Sequence, residues 1–179
     1  MKKWKIAIVG SGYMAQEHAK AFASLPNVEI VGVCGRSRAR AEALAGTHGV
    51  PVYESIESLY QGTQADAVVV AVNELSVREV CLAAFEHSWL CFLEKPVGLD
   101  LAQADEITAA AYRSGTKAYV ALNRRSYAST RQALSELAAD DGPRLISVLD
   151  QQDMASAREG GKPEEVVRNY MYANSIHLI

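Results

Sequence analysis

Two short stretches of the chain carry residue types at spacings suited to chemistry. The first is Gly10-Ser11-Gly12-Tyr13-Met14-Ala15, with glycines two apart and a small residue three further on. At a strand-to-helix turn, Gly10 permits the tight reversal and Gly12 lets the backbone approach a pyrophosphate. Ala15 keeps the helix close to the sheet, and the first helical amides face the negative charge. The second stretch, Glu94-Lys95-Pro96, follows an apolar run. If that run is a buried strand, Lys95 stands at the carboxyl edge of a sheet, where ligands of open α/β folds bind. Desolvated beside an oxidised nicotinamide, its ammonium would ionise nearer neutral pH and serve as proton donor or acceptor.

A third stretch bears on which dinucleotide is bound. A carboxylate at the end of the second strand would accept hydrogen bonds from the adenosine ribose hydroxyls. That place holds Gly35, followed by Arg36, Ser37 and Arg38. Guanidinium groups suit the extra phosphate of NADP, and Arg36 can stack on adenine. NADP is therefore the expected cofactor, with NAD the alternative. Arg40 reads as part of a solvated helix face.

These residues need a frame, and the hydrophobic pattern supplies one. Apolar, β-branched runs at Lys5 to Val9, Val28 to Cys34, Val52-Tyr53, Ala67 to Val72, Leu90 to Leu93 and Ala118 to Leu122 read as six strands. Helices are expected from Tyr13 to Leu25, from a cap at Ser37 to Gly46, and from a capping box at Ser76–Glu79 to His87. Another runs from Asp100 to Gly115 with Leu101, Ala104, Ile107 and Ala111 inward. Continuous apolar strands joined by helices imply a parallel sheet covered on both faces. The fold class is α/β, a Rossmann-type doubly wound sheet of order 3-2-1-4-5-6.

After Leu122 the pattern changes to a helix over Tyr127 to Leu137, an Asp-Asp-Gly-Pro turn at 140–143 and a strand over Leu145 to Leu149. Gly160-Gly161-Lys162-Pro163 then breaks the chain before a final helical stretch that runs to Ile179 with no stop signal. This reads as a dinucleotide-binding domain over 1–123 and the truncated start of an α+β substrate domain over 124–179. With 49% hydrophobic and 22% charged residues the chain is globular, and its net charge of -3 offers no field for nucleic acid or a membrane surface. No segment approaches the length of a membrane span. Cys34, Cys81 and Cys91 lie in apolar surroundings without metal-like spacing, and read as buried thiols in a reducing cytoplasm. His48 and His87 fall in polar loop or helix-end contexts, and no metal site is inferred.

The fingerprint with His18 behind it, the Glu94-Lys95-Pro96 tripeptide and Asn123-Arg124-Arg125 after the sixth strand together resemble the Gfo/Idh/MocA oxidoreductases. The resemblance implies hydride transfer between NAD(P) and a hydroxyl carbon of a sugar, polyol or related small molecule. It implies that Lys95 hydrogen-bonds the substrate hydroxyl and that Lys95 and Pro96 frame the nicotinamide. His177 matches the residue that takes the hydroxyl proton. The whole protein would be about twice as long, with a second half that forms the substrate floor and often an interface between identical subunits.

Two positions depart from that family's pattern. Asn174 stands where the family has Asp three residues before the histidine, and an amide orients a hydroxyl without supplying charge. Val72-Asn73 replaces a common Thr-Pro, which leaves Asn73 to hydrogen-bond the cofactor ribose or carboxamide. Two rival readings stay open at this point: a non-catalytic NAD(P)-binding sensor, and a Rossmann-type methyltransferase, against which Glu94-Lys95-Pro96 weighs.

Overall fold

A computed structural model of the chain describes residues 2–139, 142, 143, 145, 147 and 149–175. The side chains of Tyr170, Asn174 and Ser175 are outside that description, as is all of His177. The chain divides into two compact units, Met1–Val120 and Ala121–Ile179.

The first unit alternates strands and helices: β1 (Trp4–Val9), α1 (Tyr13–Ala23), β2 (Val28–Cys34), α2 (Arg38–His48), β3 (Val52–Tyr53), α3 (Ile56–Thr63), β4 (Ala67–Val70), α4 (Val77–Ala84), β5 (Leu90–Leu93), α5 (Leu101–Ser114) and β6 (Ala118–Val120). All pairings are parallel and the order is β3-β2-β1-β4-β5-β6, the order read from the sequence.

Because strand side chains alternate between faces, each strand feeds two cores. Ile6 and Ile8 of β1 pack with Ile30 and Val69 under Ala15 and Ala19 of α1 and Leu44 of α2. Ala7 and Val9 face the other way, with Val68, Val70, Cys91 and Leu93 against Leu59 of α3, Cys81 of α4 and Ile107 of α5. All three cysteines are buried free thiols. Burial pushes Cys81 and Cys91 up to about 12, so neither supplies a thiolate near neutral pH.

Several local expectations are corrected. Helix α3 was not expected; Ser55 opens it with a reciprocal cap to Ser58, and Leu59 and Thr63 face the core. Helix α2 passes through Gly46 and ends at Gly49, which takes the left-handed conformation (φ 67°) that glycine tolerates. Ser37 precedes α2 without a side-chain capping bond. The capping box at Ser76–Glu79 is absent: the Ser76 side chain caps nothing, and its N–H donates to Asn73 Oδ1 at 3.0 Å. Leu101, expected inward, is 75% exposed in the first turn of α5, which Asp100 caps through the Gln103 N–H (2.8 Å), while Ile107 is buried as expected. Helix α4 ends at Ala84, short of the expected His87, which lies just beyond the helix end and stacks on Tyr60 with ring centroids 4.5 Å apart.

The second unit contains a 3-10 turn (Asn123–Ser126) and helices α6 (Ala128–Ala138), α7 (Met154–Glu159), α8 (Glu164–Arg168) and α9 (Tyr170–Ser175). Among its described residues, Ala121, Ala157, Val166, Val167 and Ala173 are the buried hydrophobic ones. The expected 140–143 turn, the Leu145 to Leu149 strand and the helix to Ile179 each fall partly outside the described residues. No helix among the described residues is long and apolar enough to cross a membrane.

Candidate functional site

Strand register decides which candidate residues share an edge. Tyr53, Cys34, Val9, Val70, Leu93 and Val120 lie side by side across the sheet. The residues that follow them, among them Gly35, Gly10, Ala71 and Glu94, therefore form the first row of the carboxyl edge. Arg36, Ser11, Val72 and Lys95 come next. The glycine turn and the lysine thus leave the same edge from strands two positions apart, about 10 Å at the usual strand spacing.

The two glycines of the fingerprint answer to different demands. Gly10 has φ 122°, and a Cβ there would sit 2.1 Å from the Ala71 carbonyl oxygen, so the fold itself requires glycine. Gly12 is different. Its φ of -81° suits any residue, and a Cβ there would meet nothing within 4 Å. Nothing in the packing calls for glycine at this position, whereas a pyrophosphate approaching the backbone would. Gly12 is also the N-cap of α1 and offers no side chain to the first amides, and no acidic residue stands in the first turn. The amides of Tyr13 to Ala15 are left for an anion. Met14 is half-buried and Tyr13 is exposed, while Ala15 is fully buried beneath the turn.

At the end of β2, Gly35 is crowded by the fingerprint. A Cβ there would lie 2.9 Å from Ser11 Oγ and 3.4 Å from the Ala41 Cβ. Ser11 is itself buried, so a side chain at position 35 would require the Ser11 hydroxyl to turn aside. Arg36 is exposed and, among the described residues, has no hydrogen-bond or ion-pair partner. Arg38 differs: its Nε donates to Glu42 Oε1 at 2.6 Å, with Glu54 3.9 Å from the guanidinium, and the Glu42 bond raises its pKa further. Ser37 keeps its hydroxyl free of capping duty.

Glu94 is buried, with its Oε2 2.6 Å from His18 Nε2. Lys95 is half-buried and Pro96 buried, and their peptide bond is cis. Asn73, expected to reach a cofactor, spends its Oδ1 on the start of α4, leaving its NH2. Among the described residues no cluster of three His, Cys, Asp or Glu is placed to hold a metal.

Residues 10–15, 36–38, 72–73 and 94–96 are brought to one edge of the first unit. Asn123 lies in the second unit, as does Asn174 on α9, and His177 is outside the described residues. Pairing of His18 with Glu94 was not read from the sequence, although His18 falls on the apolar stripe of α1 and Glu94 directly follows a buried strand.

Residues 4–122 match the Gfo/Idh/MocA oxidoreductase family, described as having an NAD-binding Rossmann fold. The chain belongs to that family. Among curated relatives, glucose-6-phosphate 3-dehydrogenase of Bacillus subtilis is 29% identical over 132 residues, covering 73% of this chain and 37% of the relative. Inositol 2-dehydrogenase of Streptomyces avermitilis is 31% identical over 123 residues, covering 67% and 36%. The crystal structure of an NAD-binding protein from Listeria innocua aligns with a TM-score of 0.63 at 31% identity, over 69% of this chain and 36% of that one. The match covers little more than a third of the length of each of these three proteins.

Proposed function

We propose that this chain binds NADP(H) along the carboxyl edge of its sheet, and that the whole protein is a dehydrogenase or reductase acting on a hydroxyl or carbonyl carbon of a sugar or polyol. The observation that carries the binding assignment is Gly12, a glycine in ordinary conformation facing open space, at a helix start with no side-chain cap. The family membership and the names of its relatives support the reaction class.

In this reading the amides of residues 12–15 hold the pyrophosphate, with Ser11 lining the turn. Arg36 meets the 2'-phosphate with Ser37 beside it, and Arg38 contributes less because Glu42 and Glu54 already neutralise it. Gly35 supports NADP over NAD, since it offers no carboxylate to the ribose hydroxyls and Arg36 follows it. Val72, Asn73, Glu94 and Pro96 border the nicotinamide end, with Asn123 as a further contact. The bound nicotinamide supplies the hydride acceptor or donor. Lys95 hydrogen-bonds the substrate hydroxyl and holds it in place for transfer. Asn174 orients that hydroxyl, and His177 accepts its proton on oxidation.

Residues 124–179 are assigned to the substrate-binding part, and the buried thiols suit a reducing cytoplasm.

Titration with NADPH and NADH, on the unaltered chain and on Arg36→Ala, tests the cofactor choice. NADPH is expected to bind more tightly, and Arg36→Ala to weaken NADPH by roughly 10- to 100-fold, the worth of a charge-assisted contact to phosphate, with little effect on NADH. Tighter binding of NADH by the unaltered chain would reverse the assignment.

A further inference from the structure

Glu94 is the one charged residue among the buried described residues, and its partner comes from a different element. His18 Nε2 lies 2.6 Å from Glu94 Oε2, with side chains 13% and 9% exposed. His18 stands in the middle of α1, the helix whose first amides follow Gly12. Its ring meets Phe92 of β5 edge-on at 5.3 Å, so packing as well as hydrogen bonding fixes its direction. Glu94 is held through its backbone too, its N–H donating to the Val70 carbonyl at 2.8 Å.

Four residues beyond Glu94 the same loop is fixed a second time. Gly98 has φ 100°, and its α-carbon lies so close to α5 that a Cβ would be 2.7 Å from the Ala104 nitrogen. The Leu99 N–H donates to Gln103 Oε1 at 3.2 Å. Lys95, Pro96 and Val97 therefore span a short interval between two anchors. One is the α5 start; the other is the His18–Glu94 pair, which reaches from β5 across β4 to the helix behind the glycine turn.

A buried histidine–carboxylate pair adds little net stability over a well-packed apolar pair of the same size, because desolvation offsets the attraction. What it does add is direction: a short charge-assisted bond tolerates little change in the relative position of its partners. From this geometry we infer that His18 is a positioning residue, acting through Glu94 to hold the Lys95 loop in fixed relation to α1. The ammonium and the helical amides then belong to one rigid frame. The inference rests on the reading of Lys95 as the group that meets substrate.

Hydrogen exchange read by mass spectrometry on the 179-residue chain tests it, comparing the unaltered protein with His18→Leu and His18→Gln. His18→Leu is expected to speed exchange at the amides of residues 95, 97 and 98 about tenfold or more, while residues 6–9 and 67–70 stay within about twofold. His18→Gln, whose amide can still donate to Glu94, is expected to restore protection to within about threefold. In the whole protein, NADP-linked oxidation of a panel of myo-inositol, glucose 6-phosphate and D-apiose should fall with His18→Leu while NADPH affinity holds within about threefold. His18→Asn, too short to reach Glu94, takes the place of His18→Leu if the latter does not fold.

Unchanged loop exchange in His18→Leu overturns the inference, as does a rise spread evenly over β1 and β4, or a failure of glutamine to restore protection. Lys95→Ala in the whole protein separates the two layers. If it removes turnover while His18→Leu leaves the loop protected, the clamp alone fails. If turnover is indifferent to Lys95→Ala, the reading of Lys95 fails and takes the positioning role with it.

Discussion

Gly12→Val leaves the fold standing and removes dinucleotide binding. The new side chain enters open space, and φ at this position is one that valine adopts, so the only folding cost is a poorer N-cap, about 1 kcal/mol or less. The same side chain would stand in the open space through which a phosphate has to approach the uncapped amides of Tyr13 to Ala15. Losing two charge-assisted bonds to a phosphate weakens NADPH by roughly 100-fold or more. Thermal melting and a fluorescence titration of the same preparation read the two effects separately. Gly10→Ala behaves differently: its Cβ collides with the Ala71 carbonyl and its φ lies in the region glycine favours, so it lowers the melting temperature before any question of ligand arises. If Gly12→Val binds NADPH as tightly as the unaltered chain, the glycine turn is not the pyrophosphate site.

Lys95→Ala in the whole protein is expected to lower kcat by about 10²- to 10⁴-fold, the range for removing a group that transfers or polarises a proton in the transition state. NADPH affinity should change little, because the pyrophosphate contacts are two strands away. Steady-state kinetics and cofactor titration on one preparation give both numbers. The split matters for the choice between enzyme and sensor. A protein that only senses the cofactor has no turnover for Lys95→Ala to remove, and an equal loss of turnover and affinity would mean that the lysine holds the dinucleotide instead of the substrate.

Sheet order was legible because each strand here is a short apolar run covered on both faces, and helices between such runs allow few topologies. Gly10 and Gly12 were legible as a motif, but not as two different cases. Only coordinates separate a glycine forced by Ala71 from a glycine the packing does not need. Errors cluster where a local signal competes with tertiary contact. Gly46 looks like a helix stop, yet the left-handed stop is Gly49, three residues on. Ser76 begins a capping-box pattern, yet the preceding Asn73 reaches its amide first. Leu101 fits an apolar stripe by spacing, but the first turn of α5 stands clear of the sheet. The His18–Glu94 pair was out of reach for another reason: 76 residues separate its members, and the edge-on contacts of His18 and Phe22 with Phe92 that bring them together leave no periodic trace in either segment. A polar residue on a buried stripe must nevertheless find a partner, and that rule marks both as worth pairing.

Amide chemical shifts of the isotopically labelled chain, followed while NADP+ is added, test the location of binding most directly. The largest changes are expected on residues 10–15, on Gly35 to Ser37 and on Lys95, with Lys2, Asn27 and Asp66 at the amino edge unmoved. Changes concentrated at that opposite edge, or a glycine turn that shifts while Lys95 does not, would contradict that location.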